Sequence, residues 1–223
     1  MAATVITSNL INSRYRTFLR NRASIDDRYS SYDLCYYYFY QNRGHLIGSN
    51  LVTSCLQLWA FLSSWGMVAR GNALQGKSYT ALQDVITFIN NNPQYYFSAI
   101  DSSSYESDML CLYQGLKKAL NITQASQKTV ITKIMLGVYG CIPAFDQYVC
   151  ETFGTSTIGD LTKRNIKSVV DLYNKHKQLI DSKAVSTQLL SFNNTSSGLT
   201  YTAAKVIDMV GFARPKRATV KKQ

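Results

Sequence analysis

The chain has 223 residues and a formal charge of +11, because 24 Lys and Arg stand against 13 Asp and Glu. A hydrophobic fraction of 46%, with 12% aromatic residues, suffices for a folded core and excludes a disordered chain. The surplus of cations predicts affinity for polyanions or for acidic partners.

Most of the sequence has the spacing of amphipathic helices, with apolar residues at i, i+3, i+4 and i+7, and only three prolines interrupt it. We therefore predict an all-α fold of eight or nine helices in one domain over residues 1–213. A basic, solvated and disordered tail is predicted over 214–223. The Ser- and Asn-rich segment 191–198 is predicted as a loop. The predicted helices span 4–21, 30–41, 50–65, 72–91, 105–120, 127–139, 143–153, 162–182 and 200–212.

The longest stretch without Asp, Glu, Lys or Arg runs from Gly44 to Ala69 and is about the length of a membrane span. Ser, Thr, Asn, Gln and His interrupt it, which favours a buried helix over 50–65 at the centre of the domain. The first residues lack the basic and apolar regions of a secretory signal. We expect a cytoplasmic protein that does not enter the membrane.

The five cysteines lie in apolar stretches and form no CxxC pair, which predicts buried, reduced thiols. His45 and His176 do not stand at ligand spacing relative to these thiols, so no metal site is predicted. No GxxxxGK[ST] or GxGxxG motif follows a predicted strand, and no cofactor is predicted.

Two groups of cations account for much of the positive charge. The first group comprises Arg14, Arg16, Arg20, Arg22 and Arg28. The second lies along one side of the predicted helix after Gly159 and can neutralise phosphates, although a solvated polar face would have the same composition. The predicted nucleic-acid contacts are Lys163, Arg164, Lys167, Lys175 and Lys177 on this helix, and Arg214, Lys216 and Arg217 in the tail.

The run KTVITKIMLGVYGCIPAFDQYVCETFG, over 128–154, predicts a helix that ends at Gly140 and a second helix that Pro143 begins. Asp146 then falls in the first turn of the second helix. Free backbone N–H groups and the helix dipole favour an ionised carboxylate there, and an ordinary helix-start charge explains the same residue.

The same run resembles the helix-hairpin-helix DNA glycosylases, in which a helix with a Lys and a Gly-containing turn leads to an Asp at a helix start. The resemblance covers fewer than thirty residues, and NITQASQ stands where that family has a glycine-rich turn. It implies that Lys128 is a Schiff-base nucleophile and that Asp146 is the carboxylate that stabilises positive charge on the sugar.

A second resemblance covers most of the chain. The runs LWAFLSSWGMVARG (58–71), KIMLGVYGCIPAFDQYV (133–149) and AAKVIDMVGF (203–212) are similar to those of a group of uncharacterised bacterial helical proteins. These are about 200 residues long, the size of a single domain. This resemblance implies a bacterial or phage-borne domain and no particular activity.

A pocket is predicted near Trp65, where an indole beside two glycines can form a wall and Arg70 can hold a phosphate or carboxylate. Lys133 and Tyr148 complete this candidate pocket. A helix C-cap with an inward Trp65 explains the same residues.

We expect a nucleic-acid-binding protein of helix-hairpin-helix glycosylase-like type that acts on DNA bases if it is an enzyme. Two other classes stay open. One is a non-enzymatic interaction domain whose charge serves solubility or an acidic protein partner. The other is a helical enzyme that holds a small anionic substrate through Arg70.

Overall fold

The computed structural model describes residues 4–22, 26–122, 127–193 and 195–212. The predicted fold class is confirmed, since these residues form a mostly helical, compact fold with one small antiparallel hairpin. The helices are α1 (Ser8–Asn21), α2 (Ser31–Gln41), α3 (Leu51–Ser64), α4 (Gln83–Asn90), α5 (Tyr105–Leu120), α6 (Gln127–Ile134), α7 (Gln147–Phe153), α8 (Lys163–Ser186) and α9 (Ala203–Phe212). The hairpin pairs β1 (Gln188–Leu190) with β2 (Ser196–Thr200).

The centre of the fold is the segment 130–145, in which every residue is buried. It comprises most of α6, a π-helical turn over Met135–Tyr139, and an irregular stretch that leads to α7. Gly140 ends the π-helical turn with a φ of +61°, a conformation that favours glycine. A Cβ at this position would lie 2.8 Å from side-chain carbons of Thr202 and Tyr36, so the close approach also requires glycine.

The prediction that the helix over 50–65 is the buried centre is wrong. Helix α3 buries one face only, while Val52 and Leu56 on its other face are 54% and 45% exposed. The absence of charge in this segment reflects small polar and apolar residues on the outward face, and it does not require burial on all sides.

Three other segments differ from the predicted elements. Within 72–91, only Gln83–Asn90 is α-helical, because the preceding chain turns at glycines with positive φ, among them Gly71 and Gly76. The predicted helix over 143–153 begins four residues late, at Gln147. The predicted loop over 191–198 includes part of β2.

The predicted basic tail over 214–223 lies outside the described residues. Among the helices that the structure does describe, none combines the length and the apolar character needed to cross a membrane.

A buried polar network fixes the hairpin to the helices. The carboxylate of Asp33 accepts hydrogen bonds from Arg22 Nη1 at 2.8 Å, Tyr201 Oη at 2.6 Å and the backbone N–H of Leu190 at 2.8 Å. Burial raises the pKa of Asp33, and the guanidinium of Arg22 opposes that rise. The network thus joins α1, α2, β1 and the residues that precede α9.

Candidate functional site

A narrow cleft lies where the end of α3, the core segment, the start of α7 and the end of α9 meet. It has a volume of about 10 Å³, room for roughly one water molecule. Four aromatic or aliphatic side chains and four charged side chains line it: Phe61, Trp65, Leu136 and Phe212, with Lys133, Asp146, Lys205 and Asp208.

Asp146 is the N-cap residue of α7. Its Oδ1 accepts hydrogen bonds from the backbone N–H groups of Tyr148 at 3.0 Å and Val149 at 3.1 Å. Its Oδ2 accepts one from Lys133 Nζ at 3.3 Å. The carboxylate of Asp146 thus caps the N-terminus of α7 and at the same time forms an ion pair with Lys133.

The ammonium group of Lys133 lies 4.9 Å from the ring centroid of Trp65, and the Arg28 guanidinium carbon lies 5.3 Å from the same ring. The indole N–H donates to Ser31 Oγ at 3.0 Å, which fixes the orientation of the ring. Trp65 is half-buried. The cleft therefore presents an aromatic face near two cations, the arrangement of cation–π contacts.

The second ion pair of the cleft joins Lys205 Nζ and Asp208 Oδ2 at 3.0 Å. Lys205 is 1% exposed, and its ammonium group lies 4.6 Å and 4.5 Å from the ring centroids of Phe18 and Tyr32. Asp208 Oδ1 accepts the backbone N–H of Ala144 at 3.1 Å. Sequence reasoning missed this pair, although two opposite charges at i and i+3 in the apolar run AAKVIDMV are its signal.

Lys128 is in a different environment from Asp146. Its side chain is 2% exposed, and its ammonium group donates to the backbone carbonyls of Ser156 and Ile158. Burial lowers its pKa. Five residues separate Lys128 from Lys133 on α6, a rotation of about 140° around the helix axis, so the two ammonium groups point in different directions. The structure brings Lys133 to Asp146, and no hydrogen bond or ion pair joins Lys128 to that carboxylate.

The predicted pocket residues are only partly brought together. Trp65 and Lys133 both line the cleft. Tyr148 is 43% exposed, and its ring centroid lies 5.1 Å from that of Phe212. Arg70 is exposed in the turns after α3 and is not among the lining residues.

The predicted basic stripe on α8 is exposed but largely neutralised. Three of its five cations form ion pairs, whereas Arg164 and Lys175 form none with the carboxylates that the structure describes. The pairs are Lys163–Glu106 at 3.2 Å, Lys167–Asp171 at 3.1 Å, Lys177–Asp101 at 3.2 Å and Lys177–Asp181 at 2.9 Å. Hydrogen bonds from Lys177 to Tyr173 and to the two carboxylates raise the pKa of Lys177. The predicted contacts Arg214, Lys216 and Arg217 lie outside the described residues.

The first group of cations divides into inward and outward side chains. Arg14 is buried and donates to the carbonyl of Val210 at 2.7 Å, and Arg22 pairs with Asp33. Arg16 and Arg20 are exposed on the outward face of α1.

The cysteines are all free. Four are buried, and Cys111 is exposed, contrary to expectation. No three side chains of His, Cys, Asp or Glu lie close enough to hold a metal ion within the described part of the chain.

No family model, curated protein or solved structure matches this chain.

Proposed function

We propose that the protein binds nucleic acid and that the cleft beside Trp65 takes up a nucleotide. One observation carries this proposal: the aromatic and charged cleft is lined by Phe212, and the chain continues from Phe212 into a segment with five Lys or Arg in the ten residues 214–223. A stacking surface is therefore close in sequence to a concentration of positive charge.

The chemistry of the cleft suits a nucleotide. An aromatic ring that stacks on a base contributes about 1–3 kcal/mol per base and tolerates different bases. An ammonium group has three N–H donors, and Asp146 accepts one from Lys133, which leaves two for a phosphate or a sugar oxygen. The nearby guanidinium of Arg28 is exposed and suits a phosphate.

A nucleotide needs more room than the cleft has in this conformation. Phe212 is the side chain best placed to move out of the cleft, because it is the last residue of α9. Its ring makes edge contacts with Tyr29, Trp65 and Tyr148 at centroid distances of 6.1, 5.3 and 5.1 Å. We expect nucleotide entry to displace this ring and to expose Trp65.

Fluorescence anisotropy with labelled single-stranded and duplex oligonucleotides at low salt tests the proposal. We expect Lys133→Gln to weaken binding about tenfold or more, because a charge-assisted hydrogen bond to phosphate is worth about 1.5–3 kcal/mol. Lys118→Gln is the matched control, since it removes one exposed lysine from α5. No binding by the wild-type protein at low salt, or equal weakening by the two variants, would contradict the proposal.

A second candidate function is base excision, favoured by the 3.3 Å contact between Lys133 Nζ and Asp146. In this scheme the ammonium group of Lys133 gives a proton to the carboxylate of Asp146, and the resulting amine attacks the anomeric carbon of a damaged nucleoside. The base leaves with the electron pair of the glycosidic bond and takes up a proton, and opening of the sugar gives a Schiff base. The geometry favours Lys133 over Lys128 as the amine.

Borohydride trapping on abasic and damaged-base DNA tests the base-excision candidate, because the reductant converts a Schiff base into a stable amine. We expect an adduct that Lys133→Ala abolishes and that Lys128→Met retains. An adduct that only the Lys128 variant abolishes would reverse the assignment, and the absence of any adduct would exclude this chemistry on these substrates.

A further inference from the structure

The outward face of α1 forms an open groove that the cleft does not include. The groove has a volume of about 770 Å³, and its lining is polar and cationic apart from one leucine. The lining residues are Asn9, Asn12, Ser13, Arg16, Leu19 and Arg20.

Helical periodicity places these residues on one face. From Asn9 to Arg20 the helix rises about 16 Å, at 1.5 Å per residue. The opposite face of α1 buries Ile11, Arg14 and Phe18, so the helix is held firmly against the core. No acidic residue occurs in α1, whose sequence is SNLINSRYRTFLRN.

A third cation lies next to this face. The ammonium group of Lys183, near the end of α8, lies 4.2 Å from the ring centroid of Tyr15. The Tyr15 hydroxyl is within 2.6 Å of Thr187 Oγ1, which fixes the ring between the two helices. Lys183 therefore adds positive charge beside Tyr15 on α1, and it forms no ion pair with the described carboxylates.

The cations of this face differ from Lys163, Lys167 and Lys177 of α8, which form ion pairs. None of the described carboxylates forms an ion pair with Arg16, Arg20 or Lys183, whereas Lys163 and Lys167 each hold an acid. A phosphate that binds the α1 face displaces only solvent and counterions, while a phosphate at Lys163 or Lys167 on α8 competes with a carboxylate already in place.

We infer that this face of α1 is the surface that holds the sugar–phosphate backbone of a nucleic acid, an inference that rests on the proposed function. Its 16 Å length corresponds to about five base steps of a duplex at 3.4 Å of helix axis per step. Arginine, asparagine and serine are residue types that contact phosphate and sugar. The groove has no aromatic side chain and only Leu19 as an apolar one, so it lacks the apolar core typical of a protein interface.

The test compares two double variants that remove the same charge. Arg16→Ala/Arg20→Ala alters the α1 face, and Lys163→Ala/Lys167→Ala is the matched control on α8. All four side chains are exposed, and circular dichroism checks that both variants fold. Duplex DNA affinity is measured between 50 and 200 mM salt for the full chain and both variants.

Each phosphate contact contributes about 0.9 to the slope of log affinity against log salt. The α1 variant loses two such contacts, so we expect the magnitude of its slope to be about 1.8 smaller than that of the wild type. Between 50 and 200 mM salt, the affinity of the wild type should therefore fall by about tenfold more than the affinity of the α1 variant. The α8 control should keep the wild-type slope.

The possible results test the assignment of the α1 face and the proposed nucleic-acid binding separately. If the wild-type protein does not bind nucleic acid, the proposed function fails and this inference with it. If the wild-type protein binds and both variants lose affinity and slope equally, nucleic-acid binding stands and the assignment to α1 is overturned. If the α1 groove binds an acidic peptide more tightly than DNA of equal charge, a protein partner replaces the nucleic acid.

Discussion

The buried pair of Lys205 and Asp208 gives a prediction whose size follows from the structure. Asp208→Ala removes the carboxylate 3.0 Å from an ammonium group that is 1% exposed. Loss of one partner of a buried ion pair costs about 3–5 kcal/mol, because the remaining charge is left without compensation. The backbone N–H of Ala144 also loses its acceptor, whereas the rings of Phe18 and Tyr32 offset part of the cost.

We therefore expect Asp208→Ala to lower the free energy of unfolding by about 4 kcal/mol. Urea denaturation measures this loss, and with a slope of about 2 kcal/mol per molar the midpoint should fall by about 2 M. The double variant Lys205→Met/Asp208→Ala removes both charges and should recover at least half of the loss. A single-variant loss below about 1 kcal/mol, or a double variant no more stable than the single one, would refute the reasoning.

Three further changes test other parts of the structure. Asp160→Asn should lower the free energy of unfolding by about 0.5–1 kcal/mol near neutral pH, because a hydrogen bond from Lys117 stabilises the carboxylate and lowers the pKa of Asp160. The difference in urea midpoint between this variant and the wild type should disappear as the pH falls through that lowered pKa. Gly140→Ala should lower the free energy of unfolding by about 3 kcal/mol from backbone strain and a steric clash, whereas the control Gly76→Ala, with a φ of +72° and open space, should cost only about 1 kcal/mol. Equal losses in these two variants would contradict the packing around the core segment. Phe212→Ala should make the neighbouring indole more accessible to acrylamide, and unchanged fluorescence quenching would show that this ring does not close the cleft.

Local sequence signals predicted some elements well. Helix α5 was predicted with the observed bounds, because a Ser-rich turn precedes an amphipathic run and lysines lie in its last turn. The helix predicted over 72–91 was too long, because its apolar residues have helical spacing, while Gly71 and Gly76 with positive φ turn the chain before α4 begins. The hairpin was missed because its strands are short and their polar residues have the composition of a loop.

The candidate site was harder to predict, because its chemistry depends on which charged side chains meet. Asp146 at a helix start could be identified from its neighbours in sequence, but its partner Lys133 could not be distinguished from Lys128 without the rotation of α6. The neutralised state of α8 depends on acids such as Glu106 and Asp101, which lie far away in sequence. Charge counts therefore located cations without showing which of them are available to a ligand.

The most direct test of the central claim is the emission of Trp65 while an oligonucleotide is added. The chain has two tryptophans, so a Trp59→Phe variant isolates the indole in the cleft. Stacking of a base on that indole should quench its emission, and the change should be half complete at the oligonucleotide concentration where anisotropy shows half-maximal binding. Binding that leaves the emission of Trp65 unchanged would place the nucleic acid elsewhere and contradict a nucleotide site in this cleft.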